Sequence, residues 1–138
     1  MQPRIDGVLE TALHVDDVPR SIAWYDRVFG FPKMIFDERF CAYSAGPRST
    51  FLLFKKDGTL QPVRVPGGVI PPHDGSGHMH MAFAIPADSL ESWKTRLQEC
   101  GVAIESTVKW IEGGTSLYFR DPDGHLLELA TPGIWANY

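Results

Sequence analysis

Hydrophobic and polar positions alternate along eight short runs of this chain, and two capped segments between them have the punctuation of helices. Val8 to Val15, Lys33 to Phe36, Phe40 to Ser44 and Thr50 to Lys55 read as strands in the first half. His78 to Ile85, Val102 to Trp110, Thr115 to Arg120 and His125 to Ala130 do so in the second. Asp17, with Pro19 in the first turn, is the expected N-cap of a helix that ends at Gly30. Asp88, with Glu91 three residues on, is the expected cap of one that ends at Gly101. Each Asp precedes its Gly by 13 residues. The pattern therefore predicts βαβββ twice, an internal duplication with modules over about 5–55 and 78–131. Lys56 to Gly77, rich in Pro and Gly, is expected to join them as a long connector.

Strand phase shows where chemistry can sit. On the first run Leu9, Thr11, Leu13 and Val15 share one face, and Val8, Glu10, Ala12 and His14 the other. On the fifth, Met79, Met81, Phe83 and Ile85 lie opposite His78, His80, Ala82 and Ala84. On the eighth, Glu128 stands between Leu126 and Ala130. A carboxylate buried without a partner costs several kcal/mol, roughly, so Glu128 should meet solvent, a cation or a proton donor. Small residues beside an acid or an imidazole leave room that a packing face would fill with Val, Ile or Phe. Three strands thus predict a ligand cavity on the concave side of a curved sheet. Tyr118 and Arg120 share a face with Ser116 on the neighbouring run, so both are candidate substrate contacts at its rim, as are His14 and His78. Asp121, Pro122, Asp123 and Gly124 supply the tight turn that sets this last hairpin.

Composition narrows the picture. A chain of 138 residues, 43% hydrophobic, fits one globular domain or two small fused halves. A net charge of -4 gives no electrostatic case for nucleic acid or an anionic membrane. Cys41 and Cys100 are expected to be reduced, since two cysteines without a secretory leader make no disulfide framework. No apolar run approaches the roughly 20 residues of a membrane span, so a cytoplasmic protein is expected.

The run from Leu9 to Gly30, L-E-T-A-L-H-V-D-D-V-P-R-S-I-A-W-Y-D-R-V-F-G, together with H-M-A-F at His80 to Phe83 and Y-F-R-D-P-D-G-H-L-L-E-L, resembles the vicinal oxygen chelate superfamily. That superfamily contains glyoxalases, extradiol dioxygenases, fosfomycin-resistance thiol transferases and bleomycin-resistance proteins. The resemblance covers nearly the whole chain. It implies an α+β, glyoxalase-like fold in which paired βαβββ modules form curved mixed sheets around one divalent metal. It also implies ligands on the first, fifth and eighth strands, which fall on Glu10, His80 and Glu128. The glyoxalase fourth ligand falls on or near Leu53, which cannot bind metal. Glu10 in place of a histidine argues against Fe(II) dioxygenase chemistry, which uses two His and one carboxylate.

Spacing limits the alternatives. Glu10 and His14 lie about 13 Å apart along one strand, too far for one ligand shell. His78 and His80 are about 6.6 Å apart on one face, which leaves an H-x-H chelate as the competing arrangement. One imidazole and two carboxylates suit Zn, Mn, Ni, Co or Fe(II), with positions left open for substrate. The expected function is a glyoxalase-like lyase or isomerase acting on a small oxygen-bearing molecule, with Glu128 or Glu10 as the general base. The alternatives are a bleomycin-resistance-type protein that sequesters a small molecule without chemistry, and an Fe(II) extradiol-type dioxygenase. The resemblance further implies a homodimer, the metal site lying within one chain or shared between two.

Overall fold

The computed structural model describes residues 1–138, which divide into two compact units, Met1–Ser76 and Gly77–Tyr138. The first contains β1 (Glu10–Val15), α1 (Val18–Val28), β2 (Lys33–Phe36), β3 (Phe40–Ser44), β4 (Thr50–Lys55), β5 (Val63–Val65) and β6 (Gly68–Ile70). The second contains β7 (His80–Ala84), α2 (Leu90–Glu99), β8 (Ser106–Lys109), β9 (Thr115–Arg120) and β10 (Leu126–Ala130). The fold is α+β, with mixed sheets and few helices, as the alternation predicts.

Both units use one topology. The first sheet runs β1-β4-β3-β2 and the second β7-β10-β9-β8. In each the opening strand pairs in parallel with the last, and the remaining pairs are antiparallel. A parallel pair cannot be closed by a tight turn, and the helix lies on the route that joins its members. The cores follow strand phase. Leu13, Val15, Tyr25, Val28, Tyr43, Phe51 and Leu53 are buried in the first unit, and Leu97, Leu117, Phe119, Leu127 and Leu129 in the second.

Asp17 caps α1 as expected, its side chain accepting from Arg20 N at 3.0 Å. Asp88 does not cap α2. Pro86 leads instead into a 3-10 turn, Ala87–Ser89, where the Ser89 hydroxyl turns back to Pro86 O at 2.8 Å, and α2 begins at Leu90 without a side-chain cap. Four expected strands are shorter than their sequence signals, β10 by one residue because it starts at Leu126. β1 starts at Glu10, leaving Val8 and Leu9 exposed. β7 starts at His80, because Met79 N donates to the His125 ring at 2.9 Å. β8 starts at Ser106, because Val102 N closes the end of α2 on Leu97 O at 2.8 Å. The connector is partly structured, β5 and β6 forming an antiparallel hairpin within it.

Candidate functional site

In the second unit, β10 lies between β7 and β9 and places Glu128 opposite Ala82 on one side and Tyr118 on the other. His80 opens β7 on the same face, with its Nε2 3.2 Å from Glu128 Oε1. The His80 side chain is half exposed, whereas Glu128 is 7% exposed. The acid that stood out in an apolar strand is therefore buried and partnered.

Hydrogen-bond inventory defines this pair. His80 Nδ1 lies 2.8 Å from Leu126 O, and a carbonyl only accepts, so Nδ1 carries a hydrogen. In the neutral ring Nε2 is then a lone pair pointed at a carboxylate oxygen. Two acceptors so close repel unless a proton or a metal ion lies between them. The donor chemistry, one imidazole nitrogen and one carboxylate oxygen on a single face, fits a divalent ion of the zinc or manganese type. The carbonyl bond also orients the ring, as a partner on the far nitrogen of a metal-ligating histidine does.

The other oxygen of Glu128 is held from behind. Ser116, fully buried, donates to Glu128 Oε2 at 2.5 Å, and the Trp110 indole N–H donates to Ser116 Oγ at 2.9 Å. The serine hydroxyl has one proton, and the indole bond to its oxygen leaves that proton for the carboxylate. Phase places Ser116 on this face, but nothing local in the sequence points to Trp110, which reaches in from the loop after β8. Counting across the Asp121–Gly124 turn sets Glu128 opposite Tyr118 with Ser116 diagonal to it. That count is the one signal that could have identified the serine. Burial, followed by the neighbouring Glu128 charge, raises the Tyr118 pKa, so its phenol stays protonated and can donate to an oxygen at the site. The rings of Tyr118 and His80 are 6.3 Å apart.

The remaining candidates lie elsewhere. Arg120 is exposed and engaged by Glu105 Oε2 and by Gly124 O, each at 3.0 Å. His78 packs against the turn, close enough that a Cβ on Gly124 would lie 2.8 Å from its Nε2. His14 is buried in the first unit, stacked on Phe54 and edge-on to His73, and is not among the residues lining that unit's cavity. Glu10 is exposed at the start of β1 and does line the cavity, which has a volume of about 850 Å³. No group of three or more His, Cys, Asp or Glu side chains that could hold a metal ion occurs in the chain.

The position expected on or near Leu53 is resolved by register. Glu10 pairs with Thr50 as His80 pairs with Leu126, so the counterpart of Glu128 in β4 is Leu52. Leu53 is fully buried and faces the other way.

Residues 7–129 match the Glyoxalase/Bleomycin resistance protein/Dioxygenase superfamily. The chain is 28% identical to metallothiol transferase FosB of Shouchella clausii over 92% of this chain and 81% of that protein. It is 42% identical to glutathione transferase FosA of Serratia marcescens over 49% of this chain and 46% of that one. Among solved structures, lactoylglutathione lyase from Agrobacterium tumefaciens superposes with a TM-score of 0.86 at 27% identity, over 97% of this chain and 99% of that one.

Proposed function

Because the chain belongs to the Glyoxalase/Bleomycin resistance protein/Dioxygenase superfamily, we propose that it is a metal-dependent enzyme of lyase or isomerase type, acting on a small oxygen-bearing molecule. His80 and Glu128 hold a divalent ion, and since no group of three such side chains occurs within the single chain, Glu10 is its third ligand from a second copy. The observation that supports this reading is His80 Nε2 set 3.2 Å from a carboxylate oxygen while Nδ1 donates to Leu126 O, an arrangement satisfied by a proton or a metal ion between the two. When bound, such an ion supplies Lewis acidity toward adjacent oxygens of a substrate.

The chain's own residues divide the remaining work. Ser116 and Trp110 hold Glu128 in one orientation, so Oε1 is presented without loss of side-chain freedom at the moment of binding. Tyr118, kept protonated, donates a hydrogen bond to a substrate oxygen. Glu10, exposed and beside a cavity, can accept a proton from a carbon or hydroxyl brought next to it. The chain acts as a homodimer. Large apolar side chains remain uncovered in the single chain, among them Leu9 at 65% and Phe36 at 58% exposure, and a second copy would cover them.

Metal analysis after purification without added ion is expected to give close to one divalent ion per chain, lost in Glu10→Gln, His80→Ala and Glu128→Gln. Full metal retention in the His80 and Glu128 variants would overturn the reading. Tight small-molecule binding by metal-free protein, with no turnover in either state, would favour a sequestering protein instead.

A further inference from the structure

The duplicated register lets the two units be compared position by position. Where the second unit has Glu128 and Tyr118, the first has Leu52 and Ala42, and where the second has Ser116, the first has Phe40. The polar cluster is thus replaced by an alanine, a leucine and an aromatic ring. The alanine makes room, and an open cavity of about 850 Å³ lies there, within the size range of small-molecule pockets.

Its walls are built for an apolar occupant. Phe40 and Phe54 stack with centroids 6.1 Å apart, and His73 meets Phe54 edge-on at 4.8 Å. The β5–β6 hairpin contributes Val63, Val65 and Ile70 to the lining. The segment carrying it is clasped at its base, where Thr59 Oγ1 donates to His73 O at 2.6 Å and His73 N donates to Thr59 O at 2.9 Å.

Charge points the same way. The lining contains two carboxylates, Glu10 and Asp37, and one guanidinium, Arg39. Asp37 is occupied by the backbone N–H groups of Arg39 and Phe40 at 2.7 and 3.0 Å, and Arg39 Nη2 reaches Gly58 O at 3.4 Å. An anionic ligand would meet more negative than positive charge here. An uncharged ring would meet rings and branched aliphatic groups.

We propose that this cavity is the specificity pocket for the non-reacting part of the substrate, and that it takes an uncharged aryl or branched alkyl group rather than a phosphonate or a carboxylate-bearing thiol. This inference rests on the preceding reading only in that Glu10, which lines the cavity, is the third ligand proposed there.

Two measurements on the full chain separate the two ideas. The neutral fluorophore N-phenyl-1-naphthylamine, titrated into metal-free protein, is expected to bind, and Val65→Asp, which puts a carboxylate into the lining on an exposed hairpin, to weaken it about tenfold. With Mn(II) present, 2-hydroxyacetophenone is expected to bind about tenfold tighter than hydroxyacetone, which lacks the ring, and tighter still than hydroxymethylphosphonate. Arg39→Ala should leave that order unchanged. Equal affinity for the two ketones, preference for the phosphonate, or indifference of the fluorophore to Val65→Asp would overturn the inference. If those failures came with one ion bound per chain, the metal-site reading would stand. Loss of metal stoichiometry with the aryl preference intact would sink the metal site and leave the pocket.

Discussion

The two units share a topology and a register but use the same sheet face in opposite ways. The second concentrates polar chemistry: His80, Glu128, Ser116 and Tyr118 sit on one face, with Glu128 Oε1 3.2 Å from His80 Nε2 and Oε2 accepting from Ser116. The first retains a single acid at the matching start of its opening strand, Glu10, and gives the other positions to Ala12, Ala42, Leu52 and Phe40 beside a cavity. One copy of a duplicated plan carries polar groups on this face, while the other carries small and apolar residues beside a cavity. A duplicated fold permits this because register fixes where each side chain points, whatever the residue is.

Exchanging residues between matched positions tests the comparison most severely. Glu128→Leu gives the second unit the first unit's residue, and it is expected to reduce affinity for Mn(II) or Zn(II) by at least about a hundredfold, since loss of an outer partner alone costs ten- to a hundredfold. Folding should survive at a cost of about 1–3 kcal/mol, because leucine fills a similar volume but leaves the buried Ser116 hydroxyl without its acceptor. Calorimetric metal titration beside urea unfolding reads both effects. The reverse exchange, Leu52→Glu, puts an acid where no serine or indole stands behind it, because Phe40 occupies that place. It should cost about 2 kcal/mol of stability. A variant as stable as the parent would mean that the first unit can solvate a carboxylate there, and the contrast between the units would lose its physical basis.

Much of this contrast is legible in the sequence, and the parts that are not have physical causes. β2, β3, β4 and β9 have the bounds that alternation and turn residues predict, since Gly, Pro and Asp punctuate them on both sides. Glu128 and His80 stand out by phase alone. Asp88 misleads because Pro86 and the Ser89 hydroxyl compete for the same turn, and local sequence does not rank them. Leu53 and Leu52 are adjacent residues on opposite faces, and only the pairing of β1 with β4 decides between them. Trp110 lies beyond the reach of periodicity, because its contact with Ser116 is made from a loop.

Ser116→Ala tests whether the polar cluster works as a unit. The hydroxyl is buried and donates to Glu128, so its loss should weaken metal binding about tenfold, with Ser116→Thr restoring most of it. A Co(II) absorption spectrum that changes in the alanine variant and returns in the threonine variant would distinguish positioning of Glu128 from a general loss of packing. Trp110→Phe removes only the bond behind the serine, and a smaller change is expected, about 1 kcal/mol or less. An identical Co(II) spectrum and affinity in Ser116→Ala would show that the carboxylate is held without it.

Two tyrosines, Tyr43 in the first unit and Tyr118 in the second, give the finest comparison. Tyr43 in the first unit has its pKa driven far above the ordinary value, first by burial and then by its hydrogen bond to Asp26, to which it donates at 2.9 Å. Tyr118 in the second is raised for similar reasons but remains half-exposed beside the site. A pKa raised in the folded state gives stability that is fully present below the unfolded value, about 10 for tyrosine, and lost as pH climbs past it. Tyr43→Phe should therefore cost about 1 kcal/mol at pH 8 through the lost bond. The gap between wild type and variant should then narrow between pH 10 and 11.5, because only the wild-type unfolded chain gains from ionising this phenol. The same comparison with Tyr118→Phe should narrow less, since its phenol is less removed from water. Urea midpoints at the two ends of that range measure both gaps, and equal narrowing would place the two tyrosines in equivalent surroundings, contrary to the division of labour between the sheets.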